Sequence, residues 1–589
     1  ASRQIEVAMA SDAAAVMKEA LAGLNAGIKK VTAPDGPFPL VEEEVEHWGT
    51  KQRYLSWQRG AQYPNSIVHL TLPDMYADAC TRYCNLEAVV YQHSRMTFSE
   101  LGASAAALAR DLASTYGIQR DVCVAIAGRN HHEWIISFMA VSGHLSATAL
   151  TVNSFWINEE LRYGLEDSES RLLLADPFIL QRAPFLKEMG VRAICMQPGD
   201  SPPAGVRTFA EALASGKQLG ALNPRGIAQD DRALLMYTSG TTNKPKGVVM
   251  THRGVMSAVN CLRCLKYSPE VTPVTQATYL LGSPLFHVTA THVALLPSMA
   301  LGSKLVTMYK WDATEALKLI ERERIQTIVG VPTMTYEIAN HPDLARYDTS
   351  SLLTVGGGGA AFAAPMIKKV NDKLKSAKAG TGYGLTETNA ASVFMPGALF
   401  PLKPLSCGIP LMNVECCILS DAGTKQPTDE IGEICLRGAG VMREYWKKPD
   451  KTSEVFHIDA EGRLWFRTGD IGSLDQDGFL YIVDRAKDII IRGGENISCA
   501  EVEGALYDHP SILEVAAIGL PHPNLGETVA VAVILKPGER PPTVEDLKSH
   551  AKARLAPFKV PADIFIWGEA TLPRGATGKI QKREIRERL

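Results

Sequence analysis

Residues 237–254, YTSGTTNKPKGVVMTHRG, gather hydroxyls, glycines and lysines into one short polar run. Thr238, Ser239, Thr241 and Thr242 supply hydroxyl donors, Gly240 and Gly247 let backbone come close to a ligand, and Lys246 adds a point charge. A set of this kind holds phosphate. It does not fit the G-x-x-x-x-G-K-[ST] pattern, because Lys246 precedes Gly247 and no Ser or Thr follows the lysine in register. Four other stretches carry complementary groups. GGGGAAF at 356–362 offers bare backbone against which a flat base can lie. GTGYGLTET at 380–388 brings an aromatic face, Tyr383, and a carboxylate, Glu387. Magnesium needs no more than one or two carboxylates beside phosphates and water, so a single glutamate near a phosphate loop suffices. FRTGD at 466–470 sets Asp470 after a turn, where a carboxylate can accept two hydrogen bonds from a diol. PRGATGKIQKREI at 573–585 carries Lys579 on a glycine-rich loop, a cation suited to charge that develops during phosphoryl or nucleotidyl transfer.

Together these stretches resemble the adenylate-forming superfamily, which includes the acyl-CoA synthetases, the adenylation domains of peptide synthetases and the firefly luciferases. The resemblance begins at about residue 67 and runs to residue 589. It implies a phosphate loop of Thr238, Ser239, Gly240, Thr241, Thr242 and Lys246, and an adenine pocket walled by Gly359, Ala360 and Ala361 with Tyr383 stacked on the base. It makes Glu387 and Thr238 the organisers of magnesium, while Thr386 and the backbone of Gly382, Tyr383 and Gly384 line the nucleotide and the acyl carboxylate. Asp470 holds the ribose, Arg485 reaches ribose or phosphates, and Lys487 stands at the hinge of a small rotating domain. Lys579 bridges carboxylate and α-phosphate during adenylation, and Gly493 and Gly494 in RGGEN leave room for a pantetheine arm after rotation. His287 in SPLFHVTATH takes the place of the residue that flanks the acyl tunnel. Four positions depart from the family pattern: Asn243, Ala361, Phe466 and Asp484. None of them removes a charged catalytic group.

The implied activity is ATP-dependent carboxylate–CoA ligation in two halves, with ATP and Mg2+ used in the first and coenzyme A as thiol co-substrate in the second. Amino-acid-activating relatives carry an aspartate where His287 stands, which argues against an amino acid. Small residues at Gly356 to Gly359, Thr289 and Ala290 leave space for an extended tail, so a medium- or long-chain fatty acid is the expected substrate. An aryl acid of the coumarate or benzoate kind is the alternative, and a carrier-protein thiol in place of CoA also fits. A silent nucleotide- or acyl-adenylate-binding module and a luciferase-like oxygenase are the readings from other classes.

The elements that must position these groups follow from the apolar patterning. Between 67 and 230, helical stretches such as MTFSELGASAAALARDLAS alternate with short apolar runs such as DVCVAIAG and RLLLADP, which predicts an α/β body of helix-flanked sheet. The alternation resumes after the phosphate loop, and from about 485 the texture changes to that of a compact α+β piece. The expected division is an N-terminal extension, 1–65, a large domain, 66–484, and a small mobile domain, 485–589. Met17, Leu21, Leu24 and Ile28 fall at helical spacing and predict an amphipathic helix over 12–29 that packs on the main body.

At 589 residues the chain exceeds a single core, and 46% hydrophobic with 21% charged residues is a globular composition. A net charge of −3 gives no electrostatic footprint for nucleic acid or an acidic membrane. No run of 18 apolar residues predicts a membrane span. The 11 cysteines lack zinc-like or disulfide-framework spacing and read as free thiols in a reducing compartment, so a cytoplasmic location is expected.

Overall fold

The computed structural model describes residues 2–59, 61–62, 66–197, 205–222, 226–238, 244–266, 276–358, 370–395, 399–485, 488–493, 495–536, 541–569, 571–575 and 579–589, with side chains from residue 17 onward. Two large sheets form its body. One has eight strands, and its centre is the parallel set Arg232–Thr238, Thr148–Val152, Cys123–Ala127, Leu172–Ala175 and Arg192–Cys195. CVAIA, TALTV and LLLA are buried at every position, as strands covered on both faces require. The second sheet has nine strands around the parallel core Lys378–Tyr383, Thr354–Gly357, Thr327–Val329, Thr278–Leu281, Lys304–Thr307 and Glu87–Tyr91.

One apolar core lies between the sheets, built from helices Leu72–Arg82, Phe98–Tyr116 and His132–Met139 with Trp134, Phe98 and Phe138 fully buried. The sequence starts and stops these helices locally. Thr97 and Glu100 close a reciprocal cap on helix Phe98–Tyr116, and Gly117 ends it in the left-handed conformation at φ 65°. Separate clusters cover the outer face of each sheet.

Beyond the two helix-flanked sheets, residues 414–485 form an antiparallel lobe of their own. Its strands are Val414–Leu419, Gly432–Gly438, Phe456–Ile458, Leu464–Leu474 and Leu480–Arg485. Period-two patterning here is interrupted by register shifts at Glu433/Cys435 and Ile471/Gly472, which is why the strands do not read cleanly from sequence. The small domain wraps a five-stranded sheet, with the long hairpin Ile512–His522 and Gly526–Leu535 at its centre, around its own apolar cluster.

The N-terminal helix spans Ser2–Thr32, longer at both ends than the periodic stretch 12–29. The acidic patch Glu42–Glu46 belongs to strand Leu40–His47, which pairs with Thr50–Trp57 in an eight-pair hairpin. The hairpin is riveted to the body: Trp57 Nε1 donates to Ser257 O at 3.2 Å, His47 Nε2 meets Met442 O at 2.9 Å, and Leu464 N donates to Gln52 Oε1 at 2.9 Å.

Candidate active site

Strands Arg232–Thr238 and Lys246–Thr251 pair antiparallel, with Thr238 opposite Lys246 at their open end. The loop between them therefore starts and finishes at one point, and its two described flanks face the same cleft. Ser239, Gly240, Thr241 and Thr242, together with Gly359, Ala360, Ala361, Lys487 and Gly494, lie outside the described residues.

The cleft has a volume of about 3340 Å³ and runs between the two sheets, the antiparallel lobe and the small domain. Thr238, Lys246, His287, Gly382, Tyr383, Gly384, Thr386, Glu387, Asp470, Arg485 and Lys579 all stand on its wall. Gly493 does not; it takes a left-handed φ of 61° and its N–H donates to Leu525 O at 2.7 Å. Residues from five separate chain segments thus converge on one space.

Glu387 sits in a tight turn, Thr386–Thr388, and is only 8% exposed. The turn is held by two successive non-glycine residues with positive φ, Asn389 at 53° and Ala390 at 77°, a strained arrangement of the kind found where a site dictates the backbone. Asn389 Nδ2 secures it by donating to Gly440 O at 2.8 Å. A Cβ on Gly384 would lie 1.6 Å from Ala390 O, so this turn closes only on glycine. Tyr445 Oη donates to Glu387 Oε1 at 2.8 Å, and Lys246 Nζ lies 4.0 Å from the centre of the Tyr445 ring. Burial holds the Lys246 ammonium below its ordinary pKa, with Glu387 partly restoring it. Burial and then the Glu387 charge push the Tyr445 phenol well up. Tyr445 escaped the sequence reading because it belongs to a two-residue strand, Glu444–Tyr445, with no motif around it.

Asp470 is 4% exposed and accepts from Tyr383 Oη at 2.7 Å through Oδ2, while Oδ1 faces Arg485 Nε at 3.3 Å. Strand pairing sets this contact, since Asp470 and Arg485 are directly opposite each other in Leu464–Leu474 and Leu480–Arg485.

His287 precedes a wide helical turn, Thr289–Leu295, in which Leu296 N reaches back five residues to Thr291 O. Such turns recur at functional sites. The Thr289 N–H donates to His287 Nδ1 at 3.3 Å, so a neutral ring carries its proton on Nε2. Burial first, then the Lys579 cation and His292, push His287 down to about 3. Both the small domain's lysine and the large domain's histidine line the cleft. The lysine is presented by a narrow loop in which Gly575 N donates to Lys579 O at 2.8 Å and Gln581 N donates to Pro573 O at 2.8 Å. Arg574 Nη2 anchors that loop on Glu514 Oε1 at 2.7 Å.

Asp484 caps the first helix of the small domain. Its Oδ2 accepts from Cys499 N at 2.6 Å at the start of helix Cys499–Tyr507.

The donor set suits magnesium. One buried carboxylate, Glu387, and the Thr238 hydroxyl share the wall with Lys246, and magnesium completes its sphere with phosphate and water. Among the described residues no cluster of three or more His, Cys, Asp or Glu is placed to hold a metal by protein ligands alone.

A family model of the AMP-binding enzymes matches residues 76–446, and the model of their C-terminal domain matches 501–579. The chain belongs to the AMP-binding enzymes. It is 32% identical over 563 residues to a long-chain-fatty-acid–CoA ligase of Bacillus subtilis, covering 90% of this chain and 97% of that protein. It is 30% identical over 493 residues to 4-coumarate–CoA ligase 1 of Arabidopsis thaliana, covering 82% and 86%. Among solved structures it resembles the o-succinylbenzoate CoA synthetase of Bacillus subtilis in complex with an acyl-adenylate intermediate, with 28% identity, a TM-score of 0.74, and coverage of 87% and 98%. This AMP-binding enzyme falls in the acyl-CoA synthetase branch and is an acid–thiol ligase.

Proposed function

We propose that the enzyme activates a medium- or long-chain fatty acid as its adenylate and transfers the acyl group to coenzyme A. The observation that carries this reading is the meeting of Lys579 with His287, Glu387, Lys246 and Asp470 on one cleft that is also lined by apolar side chains. In the first half, a carboxylate oxygen attacks the α-phosphorus of ATP, and the bond to the β-phosphate oxygen breaks with its electron pair leaving on pyrophosphate. Lys246 meets the phosphates, Asp470 accepts the ribose hydroxyls, and Lys579 offsets charge on the reacting carboxylate and α-phosphate. Glu387 and Thr238 would hold a magnesium ion, which when bound supplies positive charge to the departing phosphates. In the second half, the CoA thiol loses its proton to solvent and its sulfur attacks the acyl carbon, and AMP leaves. A half-buried neutral His287 flanks the acyl group without adding a second cation to the Lys579 side of the cleft.

The apolar part of the cleft includes Leu262, Val293, Val329, Val331, Met334 and Phe394, and Gly356, Gly358 and Thr289 stand on its wall without bulk. That lining and the Bacillus subtilis relative support a fatty acid. The coumarate ligase relative supports an aryl acid as second reading. The working division is 1–65, 66–484 and 485–589, supported by a last lobe strand that ends at Arg485 and a small-domain sheet that begins at Ile490. A cytoplasmic location is supported by the 11 cysteines, each a free thiol. No helix among the described residues is long and apolar enough to cross a membrane.

The test is pyrophosphate release with Mg-ATP across a panel of fatty and aryl acids, with and without CoA, following AMP and thioester. Thioester from fatty acids supports the reading, and turnover of aryl acids alone replaces it with the second. Pyrophosphate without thioester points to another thiol, such as one on a carrier protein. No pyrophosphate with any acid points to a silent binding module.

A further inference from the structure

Leu24, on the N-terminal helix, stands on the wall of the catalytic cleft together with Leu262 and Leu265 of helix His252–Lys266, and with Phe394 and Phe400. The helix lies outside both stretches matched by the family models, which begin at residue 76. Its inward face is set by helical spacing. Met17, Leu21, Leu24, Ile28 and Val31 recur three or four residues apart and are buried or half-buried, while Gly23, Asn25, Ala26 and Gly27 between them are exposed. Met17, Ala20 and Leu21 pack into the cluster that contains Leu399 and Phe400, and Leu402 joins them there. Val31 packs into the cluster that holds Cys261, Cys264, Leu265 and Phe394. Leu24 lies between these two anchors along the helix and lines the cleft with Leu262, Leu265 and Phe394.

We propose that the N-terminal helix closes the apolar end of the acyl site and that Leu24 is a specificity-determining residue setting the length of tail the enzyme accepts. The proposal deepens the carboxylate-ligase reading and rests on it. The side chains that Leu24 joins on the cleft wall, Leu262, Leu265, Phe394 and Phe400, are apolar, so the tail they fit is a hydrocarbon rather than a polar or dicarboxylic chain. Leu24 reaches the cleft from an element that carries no group for ATP or magnesium, so changing its size alters the end of the acyl space without touching the adenylating residues.

The experiment compares the full chain with Leu24→Trp and Leu24→Ala. Each is assayed by kcat/KM for AMP formation over saturated fatty acids from about six to about eighteen carbons and over 4-alkoxybenzoates of rising tail length, in steps where each misfit methylene costs roughly tenfold. Leu24→Trp is expected to move the longest accepted tail down by about two to four carbons, at about a tenfold loss per excess methylene. Short acids keep wild-type rates, and Leu24→Ala moves the limit the other way. The same shift in the alkoxybenzoate series, with no turnover of fatty acids by any variant, would uphold the role of Leu24 while removing the fatty-acid reading. An unchanged length profile in Leu24→Trp would overturn the proposal, provided the rate on short acids shows that the variant is folded. So would a uniform loss on acids of every length, or a wild-type enzyme that accepts no tail long enough to reach the helix.

Discussion

Tyr445 donates its hydroxyl hydrogen to Glu387 Oε1 at 2.8 Å while its ring carries the Lys246 ammonium 4.0 Å from the centroid. One side chain thus fixes the carboxylate assigned to magnesium and the lysine assigned to phosphate. Tyr445→Phe keeps the ring and removes the hydrogen bond to a charged acceptor, worth about 1.5–3 kcal/mol. The expected outcome is a rise of about tenfold or more in the magnesium concentration needed for half-maximal pyrophosphate release, and Glu387→Gln should exceed it. Magnesium titrations unchanged in both variants would remove Glu387 from the metal site.

Lys579 is placed on the cleft by the 573–581 loop and acts electrostatically on His287. Lys579→Ala is expected to slow adenylation by roughly a hundredfold to a thousandfold, as removal of a charge-stabilising group does. Thioester formation from supplied acyl-AMP should stay near the wild-type rate. Single-turnover assays of the two halves check this, and an equal loss in both would contradict the assigned role.

Asp470 binds Tyr383 and Arg485 through different oxygens, which orients the carboxylate for a ribose. Asp470→Asn should raise the KM for ATP by about tenfold, in line with loss of charge-assisted hydrogen bonds of about 1.5–3 kcal/mol. Tyr383→Phe should give a smaller rise. The acid's KM, measured at saturating ATP, is expected to move little in either variant.

Five histidines have their pKa values held down, chiefly by burial: His69, His132 and His252 to about 4, and His287 and His292 to about 3. His69, His252 and His292 are buried, and His132 and His287 are half-buried. Each is neutral in the folded protein and becomes charged on unfolding below about 6.5. Between that value and the folded pKa the unfolded state binds more protons, so folding stability falls as pH falls. The midpoint of urea unfolding is expected to hold steady above pH of about 7 and to drop progressively toward about 4. A midpoint that is flat across that window would show these rings to be charged or exposed in the folded state.

Candidate groups for a nucleotide and a carboxylate could be named from the chain alone, because each sits in a short contiguous stretch: Thr238 and Lys246 at the ends of one loop, Tyr383 and Glu387 four residues apart, Lys579 in another loop. The α/β class was legible for the same reason, since strands such as CVAIA and LLLA, buried on both faces, and capped amphipathic helices signal themselves within a dozen residues. Only the tertiary structure decided what depends on contacts between distant segments. Tyr445 meets Glu387 across 58 residues, Tyr383 meets Asp470 across 87, and Lys579 shares a cleft wall with His287 because the small domain also lines that cleft. The antiparallel lobe at 414–485 and the placement of Leu24 on the cleft wall belong with these. The periodicity of a helix states which face is apolar, and only packing determines what that face meets.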